Sequence, residues 1–417
     1  MSRGLGDVYK RQASYGILGN QLLTASSWSG NTKYYPYIPF MASGTAGNWL
    51  FVDGEKSLYI NPAGLVSSDL TWEKASTFNI GLDFTMLNQR LDFSFDWYQR
   101  TTSDMLVKVE YPEVLGTTAP PANKAELRTR GWEVSVKWND RIGNDFSYDL
   151  GFILSDSQAE ITKYENPSGT LSDYYVGQKI GEIWGYETEG FYQSDTDVQN
   201  HADQSKLGAN WAPGDIMYKD LDGNKKINNG SNTLDDHGDL KVIGNTTPRY
   251  QYGITANMSY KNVYLNVFFQ GIGKRDFWPS SQPFWPVATQ YYNTQKWFVT
   301  DSWSEDNRDA YFARPIARET KNQQKQTKYL QDASYCRLKN LTVGYDFPKS
   351  WLSFLHVAKA GVYFSAENLF EFTNVKGAYD PEAAGKNGTM VYPFQRTYSF
   401  GLNAVSYTHL RAHETLA

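Results

Sequence analysis

The chain has 417 residues, 40 Lys and Arg against 45 Asp and Glu, a formal charge of −5 and one cysteine. The acidic balance argues against a nucleic-acid footprint, and a lone Cys336 excludes an intrachain disulfide framework or a multi-thiolate metal site. Mean hydropathy is −0.57 and no run approaches the ~18 apolar residues of a membrane-spanning helix, but strands that cross a bilayer escape that test because their apolar and polar residues alternate.

Taken in chain order, the first segment looks foreign. Met1 to Gln12 (MSRGLGDVYKRQ), like Ser406 to Ala417 (SYTHLRAHETLA) at the other end, resembles translated adapter or primer sequence and is set aside from fold reasoning. Without both ends the charge is about −7. The start carries no signal peptide and the end stops in mid-strand, so residues 13–405 are expected to be an internal or C-terminal piece of something longer.

About ten strands follow: Ala13 to Gly19, Thr77 to Met86, Arg90 to Thr101, Leu127 to Trp138, Asp145 to Ser157, Arg249 to Ser259, Val263 to Gly271, Ala333 to Phe347, Lys359 to Leu369 and Gln395 to Val405. Their signal is period-two alternation. Phe78, Ile80, Leu82, Phe84 and Met86 fall on one face, with Asn79, Gly81, Asp83 and Thr85 on the other. Trp132, Val134, Val136 and Trp138 oppose Glu133, Ser135 and Lys137 in the same way. Asp83, Asp92, Asp96, Glu133 and Lys137 then share a wet face, with ordinary solvation as their simplest role.

The connectors sort by parity. Short ones sit at Leu87 to Gln89, Asn139 to Asn144, Tyr260 to Asn262 and Pro348 to Ala358; long ones occupy Asn20 to Ser76, Thr102 to Glu126, Gln158 to Pro248, Ile272 to Asp332 and Phe370 to Phe394. Outer-membrane barrels place short turns in the periplasm and long loops outside. The expected fold is therefore all-β: an antiparallel transmembrane β-barrel, open and partial at about ten strands, with long extracellular loops and a periplasmic C-terminus. A soluble β-sandwich is the alternative, although its loops should not segregate by length to one side.

Several ordered segments carry a family resemblance: ASYGILGN (Ala13 to Asn20), LTWEKASTFNIGLDF (Leu70 to Phe84), RTRGWEVSV (Arg128 to Val136), GQKIGEIWGYETEGFY (Gly177 to Tyr192) and PGDIMYKDLDGNKKIN (Pro213 to Asn228). VIGNTTPRYQYG (Val242 to Gly253), YCRLKNLTVGYDFP (Tyr335 to Pro348), FSAENLFEFT (Phe364 to Thr373), YDPE (Tyr379 to Glu382) and YPFQRTYSFGLN (Tyr392 to Asn403) continue it. Together they resemble the C-terminal barrel of the SusC/RagA family of TonB-linked outer-membrane proteins of Bacteroidota. The resemblance implies a barrel of about 22 strands filled by an N-terminal plug, a SusD-like surface lipoprotein as lid, and the TonB-ExbB-ExbD complex as motor. It implies import of an oligosaccharide or, second, a peptide, in contact with outer-membrane lipid. The chain departs from the family in lacking the plug, the TonB box, roughly the first half of the barrel strands and the terminal aromatic residue. A non-transporting surface adhesin or a passive porin are the competing functions.

Asp220, Asp222, Asn224, Lys226 and Asn228 have the odd-numbered spacing of an EF-hand-like calcium loop, with Lys225 where glycine is expected and Ser231 where the closing glutamate is expected. Asp235, Asp236 or Asp239 could compensate. An Asx-rich turn without cofactor is the simpler reading, and a structural calcium is the alternative. The connector after Gly271 gathers aromatic side chains, of which Phe277, Trp278, Phe284, Trp285, Tyr291 and Tyr292 are candidates to stack on substrate sugar rings. The other reading packs them onto their own loop or a lid, since exposed aromatics otherwise need burial. No catalytic constellation appears: His201, His237 and His356 have no nucleophile motif or ligand spacing, and no enzyme is expected.

Overall fold

In the computed structural model of the chain, the described residues are 8–20, 38–39, 41, 43–51, 55–60, 63, 65–67, 70–108, 114, 120–288, 294–353, 357–377, 379–384 and 394–406. Ten strands in one antiparallel sheet each pair with the next: Val8–Asn20, Glu73–Met86, Leu91–Lys108, Pro121–Ile142, Phe146–Lys163, Arg249–Tyr260, Val263–Lys274, Tyr335–Asp346, Val357–Glu367 and Thr397–Ser406. A short strand, Glu371–Thr373, adds to the edge of Tyr335–Asp346 beyond its pairing with Val357–Glu367. Among the described residues the first and tenth strands do not pair with each other, so the sheet is a partial barrel with two open edges.

Register explains why the alternation is so regular. One line of directly opposed residues runs Phe84, Phe93, Val136, Phe152, Ile254, Phe269, Leu338, apolar at every strand from the second to the eighth. Phe84 and Phe93 stack with centroids 4.6 Å apart, the geometry that makes an aromatic cross-strand pair contribute on the order of 0.2–1 kcal/mol. On the opposite face another line runs Asn139, Asp149, Asn257, Asn266, Thr342, Ser365, Ser399, polar at every strand from the fourth to the tenth. The wet face carries its own short-range pairs: Thr85 donates to Asp92 at 2.7 Å, and Lys137 meets Asp149 at 3.0 Å.

Connectivity follows the expected parity. Antiparallel neighbours reverse direction, so the short connectors all leave one end of the sheet and the long ones the other. The tight turn at Leu87, Asn88 and Gln89 puts three successive residues at φ +57, +57 and +64, an uncommon left-handed run for side-chain-bearing residues. At the long-loop end the third, fourth and fifth strands outrun their expected spans, reaching Lys108, Pro121 and Lys163. There alternation fades, with Met105, Leu106 and Val107 consecutive, and bulges between Thr102 and Met105 and between Glu126 and Leu127 break the period. The first strand also runs back to Val8, pairing Val8 through Gln12 with Thr85 through Gly81.

From the second to the sixth strand the apolar line has no partner layer among the described residues: Ile254 is 40% and Phe152 39% exposed, far above what a soluble core leaves in water, whereas Leu338 on the eighth strand is buried. An Ile254→Arg substitution in the bilayer-embedded barrel is expected to cost about 2–4 kcal/mol, while Asn257→Arg on the wet face costs little. Urea unfolding of the two variants from lipid vesicles measures the difference, and equal costs would contradict the face assignment.

Candidate functional site

The buried side chains gather in the long connectors. The fifth-to-sixth connector holds two small hairpins, Glu182–Tyr186 with Leu240–Asn245 and Thr188–Phe191 with Ile216–Tyr218, and the seventh-to-eighth connector packs against them. Tyr186, Phe191, Ile216, Tyr218 and Ile227 from the first share one cluster with Phe284, Trp285, Phe298, Phe312 and Tyr329 from the second. Two long loops thereby form a single cap with its own core. Edge-to-face contacts dominate, as between Phe284 and Trp285 at 4.8 Å and Trp285 and Tyr329 at 5.0 Å. Burial pushes the Tyr186 and Tyr311 phenols up to about 12, so both rings stay neutral.

An ionic centre joins the two loops. Asp215 is fully buried and accepts from Arg314 Nε at 2.9 Å and Nη2 at 2.8 Å, and from Asn322 Nδ2 at 2.9 Å, while Lys321 Nζ lies 3.0 Å from Oδ2. Buried Lys321 also donates to the carbonyls of Ala209 at 2.9 Å and Asn210 at 2.8 Å and lies 4.8 Å over the Trp211 ring. Burial alone would raise the Asp215 carboxyl; the donors from Arg314, Asn322 and Lys321 outweigh it and hold the group below the usual carboxylate range. Gly214 precedes it at φ +89, where an added Cβ would meet the Trp303 ring at 2.4 Å, so the Pro213-Gly214-Asp215 sequence admits no larger residue in its middle position.

A second centre ties the last long connector to the sheet. Arg337, almost fully buried on the eighth strand, reaches Glu371 at 2.7 Å, Asp380 at 2.8 Å and Glu382 at 2.8 Å, and Lys339 adds a contact to Glu382 at 2.7 Å. From there Tyr379 extends into the cap, its hydroxyl on Ser281 and its ring 5.4 Å from Phe277.

The acidic loop is well defined. The carboxylates of Asp220, Asp222 and Asp239 lie within 4.8 Å of one another, a donor set that a hard cation such as calcium accepts. Lys225 takes φ +59, the left-handed conformation for which glycine is usual at that place. Asn224 and Asn228 instead serve Asx turns: Asn224 Oδ1 accepts from Lys226 N at 2.7 Å and Asn228 Oδ1 from Gly230 N at 2.6 Å, while Asn228 Nδ2 donates to the Lys226 carbonyl at 3.1 Å. Every oxygen of the three carboxylates already accepts an N–H, from Gly223, Lys225, Asn224, Leu221 or Asn228.

With this geometry in view, comparison with known proteins is decisive. Residues 29–369 match the family model for the TonB dependent receptor-like β-barrel. The chain belongs to this family. The receptor barrel is 28% identical over 422 residues to TonB-dependent receptor P3 of Formosa agariphila, covering 95% of this chain and 39% of that protein. It is 27% identical over 352 residues to TonB-dependent receptor SusC of Bacteroides thetaiotaomicron, covering 81% and 32%. Among solved structures, the RagAB peptide importer in its 'open-open' state superposes with a TM-score of 0.70 at 24% identity, covering 96% of this chain and 40% of that one. The chain thus spans about two-fifths of the length of those relatives, and the SusC/RagA resemblance holds.

The aromatic candidates of the receptor barrel resolve differently from a binding ledge. Phe277, Phe284 and Trp285 are buried inside the cap, which corrects their assignment as substrate contacts: rings packed edge-to-face in a core have no face left for a sugar. Trp278 is half-buried and lies 6.0 Å from Trp285. Tyr291 and Tyr292, like His356, lie outside the described residues. Sequence reasoning missed Asp215, Lys321 and Arg337, although two of them lie within the PGDIMYKD and YCRLKN segments that carry the resemblance.

Asp215→Asn leaves Lys321 buried with less compensation and is expected to destabilise the cap by about 3–5 kcal/mol. The wild-type carboxyl is depressed, so its contribution is full above the unfolded pKa of about 3.9 and is lost as pH falls through the lower folded value. Hydrogen exchange of the 209–218 and 312–323 segments between pH 7 and pH 3 reads both effects, and an acid response unchanged in the variant would refute this origin. Because its loop is closed by its own N–H groups, the receptor barrel is expected to melt at the same temperature in calcium and in chelator. A Tm that climbs with the logarithm of calcium concentration would show an ion bound there.

Proposed function

We propose that this chain is the C-terminal barrel part of an active outer-membrane importer of the SusC/RagA kind. In this reading its long loops are extracellular and its short turns and C-terminus periplasmic, and the residues of 1–12 and 406–417 are adapter-like additions to it. The observation that carries the proposal is the cap: three long connectors on one end of the sheet are welded by Asp215 and Arg337 into one body. A passive porin needs loops that leave a path, whereas a structured rim suits capture of a nutrient against a covering partner.

The importer would work with a SusD-like lipoprotein seated on this rim and with TonB-ExbB-ExbD acting through a plug. Its cargo is an oligosaccharide, as the family resemblance implies, or a peptide, which similarity to the RagAB peptide importer supports. The cap offers half-buried Trp278 at its margin as an aromatic contact. No chemistry is assigned to the barrel, since transport requires binding and release alone.

Uptake of labelled oligosaccharides and peptides by cells carrying the whole transporter tests the reading. Accumulation is expected to require the transporter gene and to collapse with a protonophore. Uptake that persists without proton-motive force would instead establish a porin, and surface binding with no uptake an adhesin.

A further inference from the structure

The polar end of the outward face has a use that transport does not explain. Register fixes which residues share that face. Phe78, Trp97 and Trp132 lie at the upper end of the apolar band, with Trp97 directly opposite Trp132 and Phe78 edge-on to Trp97 at 6.3 Å. Two residues further toward the long loops on the same face come Gln99 and, opposite it, Arg130; another step brings Thr101 and, opposite it, Arg128. Lys74 shares the face, four residues beyond Phe78. Each two-residue step along a strand is about 6.8 Å, so the guanidinium groups sit just above the aromatic pair, at the height where acyl chains give way to headgroups.

These cations are unequally neutralised. Lys74 meets Asp104 at 3.1 Å and Arg128 meets Glu160 at 3.1 Å, while Arg249, nearby on the sixth strand, is paired with Asp156. Among the described residues Arg130 is exposed and is held by a neutral group, donating to Gln99 Oε1 at 2.8 Å. Next to it, Arg128 is half-buried, donating to Glu160 through Nη2 while its Nε is buried without a partner among the described residues. Two arginines on one strand face, two residues apart and next to Trp132, place N–H donors immediately above an apolar surface.

We infer that this ledge, centred on Arg130 with Arg128 and Lys74 beside it, binds the phosphate monoester of a phosphorylated glycolipid in the outer leaflet. The tryptophans take the first methylenes of its acyl chains, and the guanidinium forks take the phosphate oxygens. The inference rests on the outward orientation of the long loops proposed above, since only then does the ledge meet the outer leaflet.

Native mass spectrometry of the whole transporter, titrated with bisphosphorylated lipid A, its dephosphorylated form and inorganic phosphate, tests it. Wild-type transporter is expected to bind the bisphosphorylated lipid, Arg130→Gln to bind it about tenfold more weakly, and Arg130→Lys to recover part of the loss. Lys261→Gln, on a short turn at the other end of the sheet, is expected to change nothing. Heat-modifiable migration on a gel confirms that each variant is folded. Equal binding by Arg130→Gln, or equal binding of the dephosphorylated lipid, overturns the proposal. Inorganic phosphate that competes as well as the lipid also overturns it, by showing a free-anion site. Orientation is read separately by labelling Asp235→Cys, in a Cys336→Ser background, with an impermeant maleimide on intact cells. Labelling only after the outer membrane is opened would sink the topology, whatever the lipid does.

Discussion

Everything in this chain depends on the hydrogen-bond ladder of one continuous sheet. In a hydrocarbon layer no water is available to backbone N–H and C=O groups, so every strand in it must be paired along its length. That requirement explains the long antiparallel pairings between successive strands, and it frees side chains to be apolar outside and polar inside without cost to the backbone. It also gives meaning to the two edges. Among the described residues Val8–Asn20 and Thr397–Ser406 each pair on one side only, and the latter carries Phe400 at 85% exposure. An edge of this length and polarity is tolerable only if other strands meet it, consistent with a chain that spans about two-fifths of its relatives.

Stability on the long-loop side has a different source. Connectors of this length carry a large conformational entropy cost, and polar loop composition offers little apolar area against it. The cap meets the cost with aromatic side chains, each burying a large area through few rotatable bonds, and with backbone clamps such as Gln204, whose amide bonds Ile216 O at 3.0 Å and Tyr218 N at 2.7 Å. Asp215 and Lys321 fit the rule that charges leave water only when paired and fully hydrogen-bonded. Such a pair adds little net stability over an apolar replacement, but breaking one partner is strongly destabilising, so together they hold one loop against another.

How much of this could be read from sequence follows from the range of each signal. Period-two alternation is local, so the ten strands and the parity of the connectors were visible wherever one face met an apolar medium. It fails where bulges break the period and apolar residues run together, as at Met105, Leu106 and Val107, so the third strand, expected to end at Thr101, continues to Lys108. The acidic spacing at Asp220 and Asp222 was likewise local, and the trio was completed by Asp239, one of the residues able to compensate for Ser231. By contrast, Asp215 finds Arg314 and Lys321 about a hundred residues away, a pairing that no pattern in a single sequence announces. The aromatic cluster after Gly271 was seen, but composition cannot distinguish a ring that faces a ligand from one that faces another ring; only the partner loop decides it.

The placement of the two ionic centres constrains how such a cap can move. Asp215 lies between the two large loops, whereas Arg337 lies between the sheet and the last connector, with Tyr379 carrying that link into the aromatic core. Separating the large loops would strip a buried aspartate of three donors, and lifting the last connector would leave a buried arginine facing no carboxylate, each a loss of several kcal/mol. Motion that accompanies binding therefore follows the junctions without such centres. The exposed pair of Lys124 with Glu165 at 3.5 Å, which opens the fifth-to-sixth connector, contributes little and can yield. The two large loops are thus built to shift together with their inner arrangement preserved, while the last connector stays tied to the sheet through Arg337.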